Sequence, residues 1–400
     1  MASGFNITDA SVSNLAKRKY AKASLNMYNG QIPTLGLIKK TFDNVGERIE
    51  RPIPTGFAGG ASFNHLSIAN RGVYEKAYFG TIPVYTVAEI NRKTIKAFKD
   101  EGAFVDGIKE TMKKTVEKFN WVMNYTVNGP GDGSFGTIDS VTANGGGSYS
   151  VVITAASWVK ARWEIREIVN VGTGDTSQFE ITAITRSTRT VTIVRRSGSK
   201  VPVATDVVYL DGSYDGAPQG AIGVLSATSG TKYGIPIADR WQAAQINASG
   251  AGISADLLTQ LVLETWENVG LFPTHLTTSV LQIRKLMATI EDLKRYSLTP
   301  TELSPRAKEL VGRISYSGVE FMTPSGAIPI LVDRQLPDTV VAAWNMNECE
   351  IAHNDQGWFD DEGFIFLRKE GADAYEARYG GYLDNYIPPT TCGYLYGLAS

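Results

Sequence analysis

The strongest constraint in this chain is a change of period at one point. Phe104, Ile108, Met112, Val116, Phe119 and Met123 recur at three- and four-residue steps, with Lys109, Lys113, Lys114 and Glu117 between them. That spacing lines apolar side chains along one face of a helix predicted over 103–127. At 1.5 Å per residue such a helix is ~35 Å long. It runs into residues 128–138, N-G-P-G-D-G-S-F-G-T-I, where four glycines and a proline share eleven positions. Beyond that break the period is two. S-Y-S-V-V-I, W-V-K-A-R-W-E-I-R, F-E-I-T-A-I, R-T-V-T-I-V-R and D-V-V-Y-L read as five short strands inside 140–212, a small barrel or sandwich. In the second of these, Val159, Ala161, Trp163 and Ile165 would face one way and Lys160, Arg162, Glu164 and Arg166 the other.

The glycine-rich break invites a phosphate-binding reading, and its position argues against it. Phosphate cradles lie between the end of a strand and the start of a helix, where free N–H groups and the positive end of the dipole face the anion. Here the order is reversed, and no Lys-Ser or Lys-Thr follows as a P-loop requires. The break is predicted to stop the helix and turn the chain.

Other chemistry is equally thin. No G-x-S-x-G or H-E-x-x-H occurs, and three scattered histidines (His65, His275, His353) give no zinc spacing. Cys349 and Cys392 are too far apart in sequence for a CxxC motif and are expected to be ordinary reduced residues. Asp360, Asp361 and Glu362 in W-F-D-D-E-G-F, and Asp211 and Asp215 in D-G-S-Y-D-G, are expected to be solvated turn residues. No catalytic, cofactor-binding or metal-binding residue is predicted, and the chain is not expected to be an enzyme.

The remaining segments organise around the helix. Residues 1–50 read as an arm, with a helix near Val12 to Met27 and basic residues Lys17, Arg18, Lys19 and Lys22. Residues 51–86 carry Phe57, Phe63 and alternating aromatics in G-V-Y-E-K-A-Y-F-G, and read as a two-stranded excursion. A hairpin of that length with aromatic side chains is expected to lie on a neighbour. T-V-A-E at 86–89 reads as a capping box that opens a first helix with Val87, Ile90, Ile95 and Phe98. Later, Ser254 caps a helix with Leu257, Leu258, Leu261, Val262, Trp266 and Val269 on its apolar face, which Gly270 stops. A strand at F-P-T-H-L-T-T-S, a helix from Leu281 to Arg295 and three strands from Ile314 onward complete a mixed α and β region. The tail from A-Y-E-A-R-Y is tyrosine-rich and turn-rich.

At 400 residues, two or three subdomains are expected. The formal net charge of −2 offers no cationic surplus for tight sequence-independent DNA binding. The first residues lack the pattern of a signal peptide, and no apolar run approaches the ~20 residues of a membrane span. A soluble protein made in a reducing cytoplasm is expected.

This order of parts resembles the major capsid protein of tailed bacteriophages, whose fold, named after a lambdoid Hong Kong coliphage, also forms herpesvirus capsid floors. The resemblance rests on Y-T-V-A-E-I-N at 85–91, on N-G-P-G-D-G-S-F-G-T-I after the long helix, and on R-Y-G-G-Y-L-D-N-Y-I-P-P-T-T-C-G-Y-L-Y-G-L near the end. It implies an α+β capsid fold. The N-arm would be 1–50 and the extended loop 51–86. The peripheral domain would be 87–139, 213–244 and 346–380, including the spine helix. An inserted β domain would occupy 140–212, and the axial domain 245–345 and 381–400.

The resemblance further implies hexamers and pentamers in an icosahedral shell around double-stranded DNA, held without sequence-specific binding. Portal and scaffolding proteins would be partners, with decoration proteins as further ones and no membrane. The location would be the virion, after assembly in the host cytoplasm. No long helical segment precedes the arm, so a separate scaffold or earlier trimming is implied. Phe57, Phe63, Tyr74, Tyr78 and Phe79 become candidates for burial across subunits, with folding back onto their own domain as the alternative. Some relatives crosslink subunits through a Lys–Asn isopeptide bond, for which Lys76 is the candidate lysine. Two other readings stand beside this one: an encapsulin-type compartment shell, whose chains are usually shorter and lack a β insertion, and a phage-borne receptor-binding module.

Overall fold

The computed structural model describes residues 33–41, 48–56, 63, 72–91, 101–237, 241–294, 319–323, 326–360, 365–369 and 371–399. The expected helix at Val12 to Met27, the basic cluster beside it, Phe57, Ile95, Phe98, Asp361 and Glu362 all lie outside them. In chain order the elements begin with α1 (Pro33–Leu37), β1 (Lys39–Thr41), β2 (Arg48–Gly56), β3 (Val73–Gly80), β4 (Ile82–Asn91) and α2 (Glu101–Asn128). Then come β5 (Ser134–Gly145), β6 (Ser148–Ile153), β7 (Ile168–Val171), β8 (Gln178–Thr185), β9 (Thr190–Arg195) and β10 (Val207–Leu210). After α3 (Ala221–Leu225) follow β11 (Thr231–Lys232), β12 (Ile235–Pro236), β13 (Ala244–Asn247), α4 (Ala255–Val269), β14 (His275–Thr278) and α5 (Val280–Lys294). The last are β15 (Val319–Thr323), β16 (Gly326–Val332), β17 (Val341–Trp344), β18 (Glu350–Trp358), β19 (Leu367–Arg368), β20 (Ala374–Tyr386) and β21 (Gly393–Tyr396).

The chain divides into two units. The first takes Met1–Glu47, Thr81–Asn124 and Ile351–Asp384. Its sheet runs β1-β18-β20-β19, with β4 also paired to β20. α2 lies against it through the stripe the sequence predicts. Met112, Val116, Phe119 and Met123 are buried, while Lys113 and Lys114 are exposed. The Phe119 ring meets Tyr379 edge-on at 5.1 Å, and Trp358 meets the same tyrosine at 5.2 Å.

Two expectations fail in this unit. The segment expected to open a helix at 86–89 is strand β4, antiparallel to β20 from Ile82 opposite Leu383 to Asn91 opposite Ala374. A capping threonine accepts a backbone N–H. Here the Thr86 hydroxyl instead donates to the Tyr379 carbonyl at 3.1 Å. Thr86 and Ala88 turn inward and Tyr85, Val87 and Glu89 outward, which is a period of two. Pairing with a partner about 290 positions away overrides the local capping signal. That partner, β20, lies in the tail read as turn-rich, where the sequence reading named no strand: Tyr375, Tyr379, Tyr382 and Tyr386 are strand residues.

The second unit takes Arg48–Gly80, Tyr125–Glu350 and Asn385–Ser400. Its mixed sheet has the order β13-β21-β17-β14-β16-β15, with β13–β21 and β14–β16 parallel. Leu258, Leu261 and Val262 of α4 and Ile283 and Leu286 of α5 pack on Ile246, Leu276, Ile330, Ala343 and Leu395 of the sheet. The ends of α4 are as the sequence requires. The Ser254 hydroxyl accepts from Leu257 N at 3.3 Å, and Gly270 closes the helix at φ 72°. Trp266 and Val269, placed on the apolar face by the sequence, are instead partly exposed.

Strands β5 to β10 close into a barrel in the order β10-β5-β6-β9-β8-β7, the first of the two arrangements the sequence left open. Tyr149, Val151, Ile153, Phe179, Ile181, Val191 and Ile193 alternate into its interior. The W-V-K-A-R-W-E-I-R segment is not one of its strands. It holds a 3₁₀ turn at Lys160–Arg162, and Trp158 stacks on Trp163 with centroids 5.7 Å apart. On an extended strand those rings would lie roughly 16 Å apart and on opposite faces. The stacking therefore requires the turn, and it reverses the expected burial: Arg162 is buried and Ile165 exposed.

The glycine-rich break is where this barrel joins the rest of the unit. Gly131 and Gly133 have φ of 80° and 78°, and the Asp132 carboxylate accepts from Ser134 N at 2.8 Å. A Cβ on Gly133 would lie 2.3 Å from the Ser213 carbonyl oxygen, and one on Gly220 would lie 2.2 Å from that of Gly129. The glycines let the chain leaving α2 and the chain returning from β10 touch backbone to backbone.

Candidate assembly surface

β2 and β3 form a two-stranded antiparallel hairpin, from Arg48 opposite Gly80 to Gly56 opposite Val73. It starts in what the sequence assigned to the arm and ends before β4, so residues 82–86 are not part of it. Alternation gives the hairpin two faces. Ala77 and Phe79 turn inward and are buried, whereas Lys76 and Tyr78 point outward with Arg48 and Glu50.

The inward face is tied down at its root. Phe79, 2 % exposed, stacks on Tyr386 at 5.1 Å and meets Tyr233 edge-on at 6.4 Å. Arg51 donates to the Glu350 carboxylate and lies 4.9 Å over the Tyr386 ring. Burial pushes the Tyr386 hydroxyl up to about 12, so it stays a neutral packing group. The Tyr233 hydroxyl donates to the Asn385 carbonyl at 2.9 Å and accepts from Ile387 N at 3.0 Å. Tyr78 N donates to the Tyr233 carbonyl at 2.9 Å. The Tyr78 ring lies so close to Gly234, at φ 78°, that a Cβ there would be 1.9 Å from a ring carbon.

Toward the tip the described side chains are more exposed: Tyr74 is 68 % exposed and Phe63 90 % exposed, and Val73, next to Tyr74 in the strand, is exposed too. Pro52 and Pro54, two apart, share one edge of β2 and have no N–H, so neither can donate to a further strand there. The outer face carries a charge pair, Lys76 Nζ to Glu50 at 2.8 Å, and this lysine holds the Glu50 carboxyl below its ordinary range. Being on the solvent side of the hairpin, the pair contributes little to stability.

Of the candidates for burial across subunits, Phe63 and Tyr74 are largely exposed, Tyr78 is partly exposed with its ring against Gly234, and Phe79 is buried. Phe79 occupies the alternate face of β3 and packs in its own chain, so it is an anchor rather than a contact. The anchor partners Arg51, Tyr233, Glu350 and Tyr386 were missed by sequence reasoning. Arg51 and Glu350 are 299 positions apart, and nothing local marks them as a pair.

Asp211 accepts from Gln178 on the surface, and Asp215 sits at φ 51°, as turn residues. Among the described residues no three His, Cys, Asp or Glu side chains gather as a metal site would require, and no helix is long and apolar enough to cross a membrane. The arrangement leaves aromatic side chains exposed on a hairpin whose root is packed.

No family model and no curated protein matches this sequence. Solved structures do. The capsid asymmetric unit of cyanophage A-1(L) aligns over 92 % of this chain and 93 % of its own at 12 % identity, with a TM-score of 0.52. The fold is that of a phage capsid subunit. The capsid of Myoviridae phage XM1 aligns over 92 % of both chains at 10 % identity, with a TM-score of 0.46. The holo-SrpI encapsulin complex from Synechococcus elongatus PCC 7942 covers 91 % of this chain and 86 % of its own at 10 % identity, with a TM-score of 0.45.

Proposed function

We propose that this chain is a structural, non-enzymatic shell subunit: the major capsid protein of a tailed phage, assembling as hexamers and pentamers around double-stranded DNA. The carrying observation is the hairpin, braced at its root by Phe79, Tyr386 and Arg51 while Tyr74 and Phe63 stand exposed near its tip. A lone subunit gains nothing from exposed aromatics on a projecting hairpin, whereas a neighbour that covers them gains buried apolar area. A shell multiplies that gain, because every copy reaches and every copy is covered. The capsid-subunit fold supports the same reading. The net charge of −2 suits a container that neither traps nor repels its DNA strongly. In this reading the barrel is an insertion that decorates the minimal subunit, and scaffolding and portal proteins assist assembly.

The test removes the tip and spares the root. Gly56 and Val73 are opposed across the hairpin, so a two-residue Asn-Gly turn can replace 57–72. The shortened chain is expected to be folded and soluble and to give no closed shells in negative-stain microscopy. Normal shells from it would refute the role of the tip. Microscopy of the intact protein separates the other readings: DNA-sized shells, smaller cargo shells as an encapsulin would form, or no assembly as for a receptor-binding module.

A further inference from the structure

Cys349 and Cys392 are 43 positions apart in sequence, yet their sulfurs lie 4.0 Å apart and both residues are fully buried. Neither sits within a strand ladder. Cys349 closes a turn in which its N–H donates to the Asn345 carbonyl at 3.2 Å, and Cys392 follows the 3₁₀ turn Pro389–Thr391, donating to the Pro389 carbonyl at 3.1 Å. Closing from 4.0 Å to a bond of about 2.05 Å moves the sulfurs about 2 Å toward each other.

The two sulfurs are also unequal. The Cys392 sulfur lies 3.9 Å from the Thr391 hydroxyl, which itself donates to the Pro388 carbonyl at 3.3 Å, and 4.0 Å from the Cys349 sulfur. The hydrogen bond from Cys349 pulls the Cys392 thiol down, and the same bond together with burial pushes the Cys349 thiol up.

We propose that Cys349 and Cys392 are a latent disulfide, closed by a two-electron oxidant of the azodicarboxamide or small-molecule disulfide class. With an azodicarboxamide, the Cys392 sulfur adds to the N=N bond, and the adjacent nitrogen takes its proton. The Cys349 sulfur then attacks the Cys392 sulfur. The S–S bond forms, the S–N bond breaks, and the leaving hydrazine nitrogen takes the second proton. Two electrons have passed from the sulfurs to the azo group.

The position gives the bond a consequence. Between the two cysteines the chain leaves for Ile351–Asp384, part of the other unit, and comes back. The disulfide would close that excursion into a covalent ring at its stem. Ring closure of this length acts mainly on the unfolded chain, by restricting its conformations. This inference is independent of the shell reading.

The test uses the intact protein in native buffer. Diamide treatment, then N-ethylmaleimide in guanidinium, then intact-mass measurement, is expected to show a loss of about 2 Da and no maleimide adduct. Proteolytic mapping should join the peptides that hold the two cysteines. The thermal midpoint should rise by roughly 5 °C and fall back on reduction. Two maleimide adducts after treatment, while the guanidinium-unfolded chain does oxidise, would overturn the proposal, as would a disulfide between chains. Cys349→Ser should abolish the oxidant-induced shift; a shift that survives in it would likewise place the effect elsewhere.

Discussion

The division of labour within one strand makes the sharpest prediction. Phe79 and Tyr74 both lie on β3, five residues apart, and were candidates for the same role. Phe79 is 2 % exposed, between Tyr386 and Tyr233, and Tyr74 is 68 % exposed. Phe79→Ala removes a fully buried ring and leaves a cavity, at a cost of about 3–5 kcal/mol. At roughly 2 °C per kcal/mol for a large unit, the unassembled subunit should melt about 6–10 °C lower. Tyr74→Ala takes away a ring that its own chain barely touches, so the subunit midpoint should move by no more than about 1 °C. Assembled shells should respond the other way round. A tyrosine buried by a neighbour is worth about 2 kcal/mol or more, and a shell carries one such site per copy. The assay is differential scanning calorimetry of unassembled subunit and of shells, on both variants. The reasoning fails if Tyr74→Ala melts the free subunit as much as Phe79→Ala does, or leaves shell stability untouched.

Three further outcomes follow from burial and close approach. Arg162 is buried, lies 5.2 Å over the Tyr125 ring and donates to the Gln335 carbonyl at 3.1 Å, so Arg162→Ala should cost about 3 kcal/mol in urea unfolding. Arg162→Met keeps the volume while removing a buried charge, and should cost half of that or less. His353 is held down to about 4, first by burial and then by the Lys40 charge, against 6.5 for the free group. Its folded form binds fewer protons than the unfolded chain, so stability should fall as pH drops below 6.5, by about 3 kcal/mol in all once below 4. A urea midpoint that is flat between pH 7 and pH 4, beyond what His353→Phe shows, would contradict this. Gly220→Ala drives a Cβ to 2.2 Å from the Gly129 carbonyl oxygen and should cost about 2–3 kcal/mol, whereas Gly252→Ala meets nothing within 4 Å and should be neutral within about 0.5 kcal/mol; equal midpoints for the two would remove the close-approach argument.

What the sequence revealed was whatever a short window fixes. The stripe from Met112 to Met123 repeats within a few turns, and Ser254 and Gly270 act on residues three or four away, so α2 and α4 were legible. Most of the misreadings turn on partners far along the chain. T-V-A-E carries a real capping pattern, but pairing with β20 decides its conformation. W-V-K-A-R-W alternates like a strand, but the stacking of Trp158 on Trp163 and the burial of Arg162 bend it into a turn. The hairpin was legible as a hairpin from its alternating aromatics. Which of those aromatics it keeps for itself was not, because Phe79 chooses its face through Tyr233 and Tyr386, more than 150 positions away.

The glycine-rich break joins these lessons to the barrel. β5 and β10, the first and last barrel strands, pair with each other, with Val207 opposite Thr137. The barrel's two chain ends therefore leave side by side, which is the geometry that lets a folded piece be spliced into a loop of another. Gly133 against Ser213 and Gly220 against Gly129 narrow the gap further, since only residues without a Cβ allow that approach. A splice made only of touching backbones would leave the barrel free to swing. Arg162 adds a tie: it comes from the barrel segment, yet its guanidinium ends on Tyr125 and Gln335 beyond the barrel, and Asn128 donates to Asp333 at 3.0 Å beside it. Glycines set where the barrel is joined, and one buried arginine helps set its orientation. A swinging appendage would be tolerable on a free protein. In a closed shell, where every copy repeats the same surface, a fixed one presents a regular lattice.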